Sequence, residues 1–192
     1  MILAYLVLLA VVASLLTGGR LKYFIENSLR GIYLPILAFL VEAGCPFLVD
    51  RIAVPISQWL WIPVVLEYSL LALFCALNWK RIPTRLVAAG ASLNFLVIAV
   101  YGFRMPVSPV VFDFPQMAAF AQRIQSGELF EYTLAEWGSP LLFLGDSLIL
   151  PFMHTGLASI GDLFLGTGAG WLVFQLMRPD HPKKKSHVSS TT

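Results

Sequence analysis

Long runs of apolar residues alternate with polar segments along this chain. Five runs have about the length that a helix needs to cross a bilayer core, which is roughly 20 residues. They lie at 2–17, 31–49, 59–78, 86–103 and 156–177. This pattern predicts an all-α integral membrane protein with about five transmembrane helices. A sixth apolar run, 141–153, is too short to span the membrane.

Basic residues are concentrated in alternate loops. Ten of the 13 Lys and Arg residues fall between the first and second runs, between the third and fourth, and after the fifth. Because basic loops stay on the cytoplasmic side of a membrane, this distribution predicts an outside N-terminus and a cytoplasmic C-terminus. If residues 141–153 crossed the membrane, Lys183–Lys185 would lie on the wrong side. We therefore expect 141–153 to form a re-entrant or half-spanning helix, which needs protein or water around its ends.

Composition agrees with a membrane location. The chain of 192 residues is 58% hydrophobic and 12% charged, whereas soluble domains carry roughly 25% charged residues. We expect one polytopic membrane domain over 1–178 and a disordered cytoplasmic tail over 179–192. The largest non-apolar region, 104–140, is predicted to be an outer loop. Its stretch Phe114–Gln125 is apolar at helical spacing, which predicts a short surface helix.

Four polar residues stand out because they lie within apolar runs. Glu67 is near the middle of the third run, Asn94 near the middle of the fourth, Asp146 in the short sixth run and Asp162 in the fifth. An ionisable group at membrane depth is costly, so it usually faces a partner, a cavity or a pathway. These residues form a candidate polar pocket. The alternative is that the carboxyl groups lock helices together, and a hydrogen bond from Asn94 to another helix is the simpler interpretation of that residue.

Asp146 and Asp162 share a local pattern. Each follows a glycine and opens an apolar stretch, as Gly145-Asp146 and Gly161-Asp162. An aspartate in such a position can cap a helix by accepting hydrogen bonds from its first N–H groups, and capping alone would explain either residue. Two helix starts directed into one region would instead form a site like those of transporters with broken helices.

Glycines in the fifth run favour helix packing. Gly166 and Gly170 are four residues apart in an apolar run, which lets another helix approach closely. The same glycines evoke a phosphate-binding loop, but no strand precedes them. His154 has no second His or Cys nearby at the spacing of a metal site. We therefore expect no cofactor, no metal and no catalytic residues.

Several short motifs together resemble a known family. They are Gly18-Gly19-Arg20, Leu93–Ile98 leading to Gly102–Val107, Phe143–Asp146 and Ser159–Asp162. In this combination, which extends over nearly the whole chain, the sequence resembles a family of small bacterial membrane proteins catalogued as domain of unknown function 5317. The segment Tyr101–Arg104 departs from the Asn-Gly-Gly-like turn expected of that family. The resemblance implies a multi-pass protein of the bacterial inner membrane, and it implies no activity.

Three functional classes are compatible with these features. The leading hypothesis is a small transporter or permeation component with a buried acidic pocket. The alternative is an accessory or assembly subunit, because five spans are few for a pathway unless the protein forms a homo-oligomer or joins other membrane subunits. An intramembrane enzyme is less well supported, because no nucleophile motif surrounds Ser92 or Ser147. A net charge of only +2 disfavours nucleic acid as a partner, and the lipid bilayer is the expected surrounding.

Overall fold

The chain is mostly helical. The computed structural model describes residues 2–27, 29–52, 59–150 and 156–179, and the side chains of these residues other than 47–52. The helices are α1 (Ile2–Leu16), α2 (Leu21–Glu26), α3 (Tyr33–Ile52), α4 (Trp61–Leu77), α5 (Ile82–Val100), α6 (Ala118–Gln125) and α7 (Ile160–Leu176). The strands are β1 (Met105–Val107), β2 (Tyr132–Leu134), β3 (Leu148–Ile149) and β4 (Leu157–Ala158). The predicted tail beyond Pro179 and His154 lie outside the described residues.

Each predicted span coincides with one helix, namely α1, α3, α4, α5 or α7. Of the described helices, α5 is the one that is long and apolar enough to cross a membrane. The other apolar helices have 10–17 residues and cover Ile2–Leu16, Tyr33–Pro46, Trp61–Leu77 and Ile160–Leu176. A buried core helix of a soluble protein can have the same length and composition as α5. By these measures α5 is a candidate span, and five spans stay a prediction.

Helix α7 packs against α1 through glycines. A Cβ atom placed on Gly166 would collide with the Leu6 side chain, and one placed on Gly170 would lie 3.0 Å from the Leu6 carbonyl oxygen and 3.3 Å from the Ala10 Cβ. The two helices run parallel, since Ile2 and Ala158 share a cluster at one end and the Arg20 N–H donates to the Met177 carbonyl at the other. Gly166 and Gly170 therefore face a neighbouring helix.

Helix α5 lies antiparallel to α7. Gly168 of α7 faces the start of α5, where an added Cβ would lie 2.7 Å from the Val87 nitrogen and 2.8 Å from the Pro83 carbonyl oxygen. In the middle of α5, Gly90 approaches Gly161 equally closely. These glycines allow the two backbones to approach more closely than any larger residue would permit.

The loops between helices collect at two opposite ends of the bundle. At one end, which we call the basic end, lie Arg20, Lys22, Arg30, Lys80, Arg81, Arg85 and Arg178. Two asparagines join its loops: the Asn27 amide donates to the carbonyls of Leu176 and Arg178, and Asn78 exchanges hydrogen bonds with the Arg30 backbone. A hydrophobic cluster that includes Phe74 and Leu172 lies next to it.

A small cap covers the other end of the bundle. Strands β1 and β2 pair in parallel within it, and α6 packs on them around a core of Val107, Val111, Met117, Ala121 and Ile124. The predicted helix within Phe114–Gln125 is confirmed, with α6 starting at Ala118 after a 3-10 turn at Pro115–Met117. The cap connects α5 to α7, so it lies over the end of α5 that carries Asn94.

Residues 141–150 do not form the predicted re-entrant helix. They form a 3-10 turn at Leu142–Leu144 and then β3, which pairs antiparallel with β4. The physical reason lies in pairing with β1: the Asp146 N–H donates to the Pro106 carbonyl, and the Asp146 carbonyl accepts from the Ser108 N–H. A segment whose backbone groups are used in this way cannot also close helical hydrogen bonds. Residues 151–153 of the predicted helix lie outside the described residues.

Candidate functional site

Asn94 joins α5 to the first turn of α7. Its amide nitrogen donates to Asp162 Oδ1 at 2.8 Å, and its amide oxygen accepts from the Ser159 hydroxyl at 2.9 Å. Ser159 is the N-cap of α7: its Oγ accepts from the Asp162 N–H, and Asp162 Oδ2 accepts from the Ser159 N–H, which completes a capping box. Asp162 therefore caps a helix start, and the buried Asn94 connects two helices.

Asp146 does not open a helix, so the structure contains one Gly-Asp helix start at Asp162 and not two. The backbone of Asp146 is held by its pairing with β1, and the residue is only 6% exposed. Its Oδ1 has no hydrogen-bond partner within the described residues. Because nearly all buried polar atoms in proteins find a partner, this oxygen is an acceptor without a donor.

A cavity of about 430 Å³ brings the predicted polar residues together. Glu67, Asn94, Asp146 and Asp162 all line it. It lies between α3, α4 and α5, at the start of α7, and beneath the β1–β2 part of the cap. Its remaining lining residues are Phe39, Glu42, Ala43, Cys45, Pro46, Leu60, Pro63, Val64, Tyr68, Ile98, Phe103, Met105, Phe130, Glu131 and Tyr132.

The cavity is acidic. Five carboxyl groups line it, and no Lys, Arg or His does so among the described residues; the acids are Glu42, Glu67, Glu131, Asp146 and Asp162. In the part of the chain that the structure describes, the ion pair is Arg123 with Glu128, 2.8 Å apart on the outer surface of the cap. Burial, with a further contribution from Asp162, raises the pKa of Asp146 to about 7. Asp146 can therefore exchange a proton near neutral pH.

The structure also places the serines and the potential metal ligands. Across the described ranges, no three His, Cys, Asp or Glu side chains are grouped as a metal ion requires. The Ser147 hydroxyl donates to the Leu142 carbonyl, the Ser159 hydroxyl donates to Asn94, and Ser92 is exposed on α5. None of these serines contacts a general base.

Some cavity residues were not predicted from the sequence. Glu131 and Tyr132 come from the cap, and they reach the cavity because β2 pairs with β1 over a separation of 27 residues. Nothing in the local pattern indicates that pairing. Glu42 carried a signal, since it is an acid within the second apolar run.

Comparison with known proteins identifies a family whose function is not known. Residues 26–174, which form most of the chain, match a family described as a family of unknown function (DUF5317). No curated protein and no solved structure matches the chain.

Proposed function

This chain belongs to the family of unknown function DUF5317, and from its cavity we propose a multi-pass membrane protein that admits a small solute from the outer face, as a transporter or permeation component. The observation that carries the proposal is the acidic cavity enclosed by α3, α4, α5 and the cap. Carboxyl groups placed among apolar helices are typical of substrate and ion pathways.

The outer surface of the helices supports a lipid surrounding. Leu8 and Leu9 of α1 are 61% and 64% exposed, and Ile36 and Leu40 of α3 are both 57% exposed. Similar exposed apolar side chains occur on α4, α5 and α7. Soluble monomers rarely expose contiguous apolar surface on this scale, whereas lipid chains would cover it without cost.

Tryptophans occur near both ends of the bundle. Trp59 and Trp61 lie at the start of α4, Trp137 lies in the cap, and Trp79 lies just after α4 at the basic end, all of them exposed. Amphipathic indole rings prefer the headgroup level of a membrane. Their positions are consistent with five short helices crossing one bilayer between two aromatic belts.

The distribution of charge supports an orientation. Seven Lys and Arg residues of the described chain lie at the basic end, and this end faces away from the cap and the cavity. The positive-inside rule assigns the basic end to the cytoplasm of a bacterial cell. The cap, the cavity and the N-terminus then face outward, and the C-terminus faces the cytoplasm.

A solute-entry experiment tests the proposed function. The full-length protein is reconstituted into liposomes, and solute entry is followed by stopped-flow light scattering after exchange into choline chloride, sodium glutamate or xylitol. Valinomycin and potassium dissipate the membrane potential. We expect at least one solute class to enter faster than into protein-free liposomes, and we expect the double variant Glu67→Gln/Asp146→Asn to remove the effect. Glu128→Gln, an acid-to-amide change outside the cavity, is the matched control.

The liposome experiment, combined with a purification from native membranes, tests the alternative of an accessory or assembly subunit. If no solute class enters faster than into empty liposomes, and if the protein purifies from native membranes with a stoichiometric partner, the transport proposal is wrong. Recovery of the protein alone, or as a homo-oligomer, together with accelerated solute entry supports it.

A further inference from the structure

The charge of the cavity indicates what it binds. We infer that its ligand is a small organic cation, an ammonium compound with an apolar or aromatic body. The inference rests on the proposed function, because it takes the same cavity as the binding site, and it adds the chemical class of the solute.

The first observation behind this inference is the negative charge of the cavity. The five carboxyl groups that line the cavity meet no basic side chain among its described lining residues. Asp162 is satisfied by Asn94 and by the Ser159 N–H. The other four form no salt bridge in the described part of the chain. Of these four, Asp146 is buried, Glu67 and Glu131 are half-buried, and Glu42 is exposed. A buried carboxylate without a salt bridge is costly, so a bound cation would stabilise the folded protein and an anion would be repelled.

The second, independent observation is the Asp146 Oδ1 atom, which has no hydrogen-bond partner within the described residues. Asp146 lines the cavity, is 6% exposed and leaves Oδ1 without a donor within the described residues. The backbone of Asp146 pairs with Val107 of β1. An ammonium group carries N–H donors and no acceptor, so it can supply the missing hydrogen bond together with the missing charge.

The aromatic wall distinguishes an organic cation from a metal ion. Five aromatic side chains line the cavity, and they are Phe39, Tyr68, Phe103, Phe130 and Tyr132. Aromatic faces attract ammonium groups and also cover apolar parts of a ligand. A metal ion requires several oxygen ligands that converge on one point, and within the described residues no such group of side chains exists.

The size of the cavity agrees with this ligand class. A volume of about 430 Å³ falls within the roughly 300–1,000 Å³ that is common for small-molecule sites. A cavity of this volume exceeds what a single metal ion needs, and it can enclose a compound of the size of phenethylamine.

Binding to three matched probes tests the inference. Isothermal titration calorimetry on the full-length protein in detergent compares phenethylammonium with neutral 3-phenylpropanol and anionic 3-phenylpropionate, which have similar shapes and different charges. We expect the cation to bind at least about tenfold more tightly than the other two. Glu67→Gln and Asp146→Asn should each weaken cation binding by about tenfold or more, and Glu128→Gln should leave it unchanged.

If Glu67→Gln or Asp146→Asn fails to fold, two substitutions with less effect on folding can be used. Glu42 lies on an exposed part of the cavity wall, so Glu42→Gln removes a carboxylate with little risk to folding. Tyr68→Leu removes an aromatic face and leaves the charge unchanged. Weaker cation binding in both variants supports the inference, and unchanged binding in both contradicts it.

The outcomes separate this inference from the proposed function. Cation binding without solute entry into liposomes would support the cation site and contradict transport. Entry of glutamate or xylitol without any cation binding would contradict the cation site and leave transport in place. Equal binding of all three probes would also overturn the inference, because it would show that charge does not select the ligand.

Discussion

Gly90 of α5 and Gly161 of α7 lie in reciprocal contact. A Cβ atom on Gly90 would lie 2.5 Å from the Gly161 carbonyl oxygen, and one on Gly161 would lie 2.8 Å from the Gly90 carbonyl oxygen. Asn94 is one helical turn beyond Gly90, so this contact brings its amide to Asp162 and Ser159. The closeness of two backbones therefore determines the geometry of one wall of the cavity.

Alanine at Gly90 should loosen that contact. The added methyl group would meet the Gly161 carbonyl oxygen and the Leu165 nitrogen, both of which are backbone atoms, and overpacking of this kind typically costs about 1–3 kcal/mol. We expect Gly90→Ala to lower the melting temperature in detergent. Gly44→Ala is the matched control, because a Cβ on Gly44 meets nothing within 4 Å and alanine is the better helix former by about 1 kcal/mol. Equal melting temperatures for the two variants would contradict the close contact.

Leucine at Asn94 should destabilise the start of α7. The change keeps a side chain of similar size but leaves Asp162 Oδ1 without its donor and the Ser159 hydroxyl without its acceptor, a loss of about 1–3 kcal/mol. The melting temperature of Asn94→Leu should fall, whereas that of Ser92→Ala on the exposed side of the same helix should change little. In a double-mutant cycle with Ser159→Ala the two losses should be less than additive. Strict additivity would show that the two side chains do not act together.

The stability of the protein should depend on the protonation of Asp146. The pKa of this carboxyl rises in the folded protein from 3.8 to about 7, so the unfolded chain loses the proton first as pH increases. The contribution of Asp146 to stability is therefore most favourable below about pH 4 and declines as pH rises to about 7. Asp146→Asn should be more stable than the wild type at pH 8, by about 1.4 kcal/mol for each pKa unit, and the difference should vanish towards pH 4. Thermal melts at both pH values check this, and a wild-type advantage at pH 8 would contradict it.

The sequence predicted the helices well because their signal is local. Apolar runs and Gly-Asp steps are patterns of neighbouring residues. The predicted helix boundaries were less accurate, as the start of α7 shows. The predicted run begins at 156, whereas the helix begins at Ile160, because β4 and the Ser159 cap occupy the residues before it. Apolar content alone does not distinguish a short strand from the beginning of a helix.

The strand pairings of the cap join residues that are far apart in the chain, and local sequence patterns do not predict them. Residues 141–150 are apolar, and that led to the prediction of a helix, but their backbone pairs with β1 about 40 residues earlier in the chain. Glu131 joins the cavity because β2, which follows it, pairs with β1 over a separation of 27 residues. By contrast, Glu67, Asn94, Asp146 and Asp162 could be selected because a polar residue in an apolar run is unusual on its own. Which of these residues lie close together depends on how the helices pack, and this packing cannot be read from the pattern of apolar runs.

The most direct test of the account uses a native thiol. Cys45 lines the cavity and Cys75 is buried next to the basic end, so Cys75→Ala leaves Cys45 as the single cysteine of the chain. Membrane-impermeant methanethiosulfonate reagents, one cationic and one anionic, are applied to spheroplasts and to inverted membrane vesicles. The account predicts reaction from the outer face only, with the cationic reagent faster by about tenfold because the cavity is acidic. Reaction only in inverted vesicles, equal rates for both reagents, or no reaction from either side would contradict an outward-facing acidic cavity.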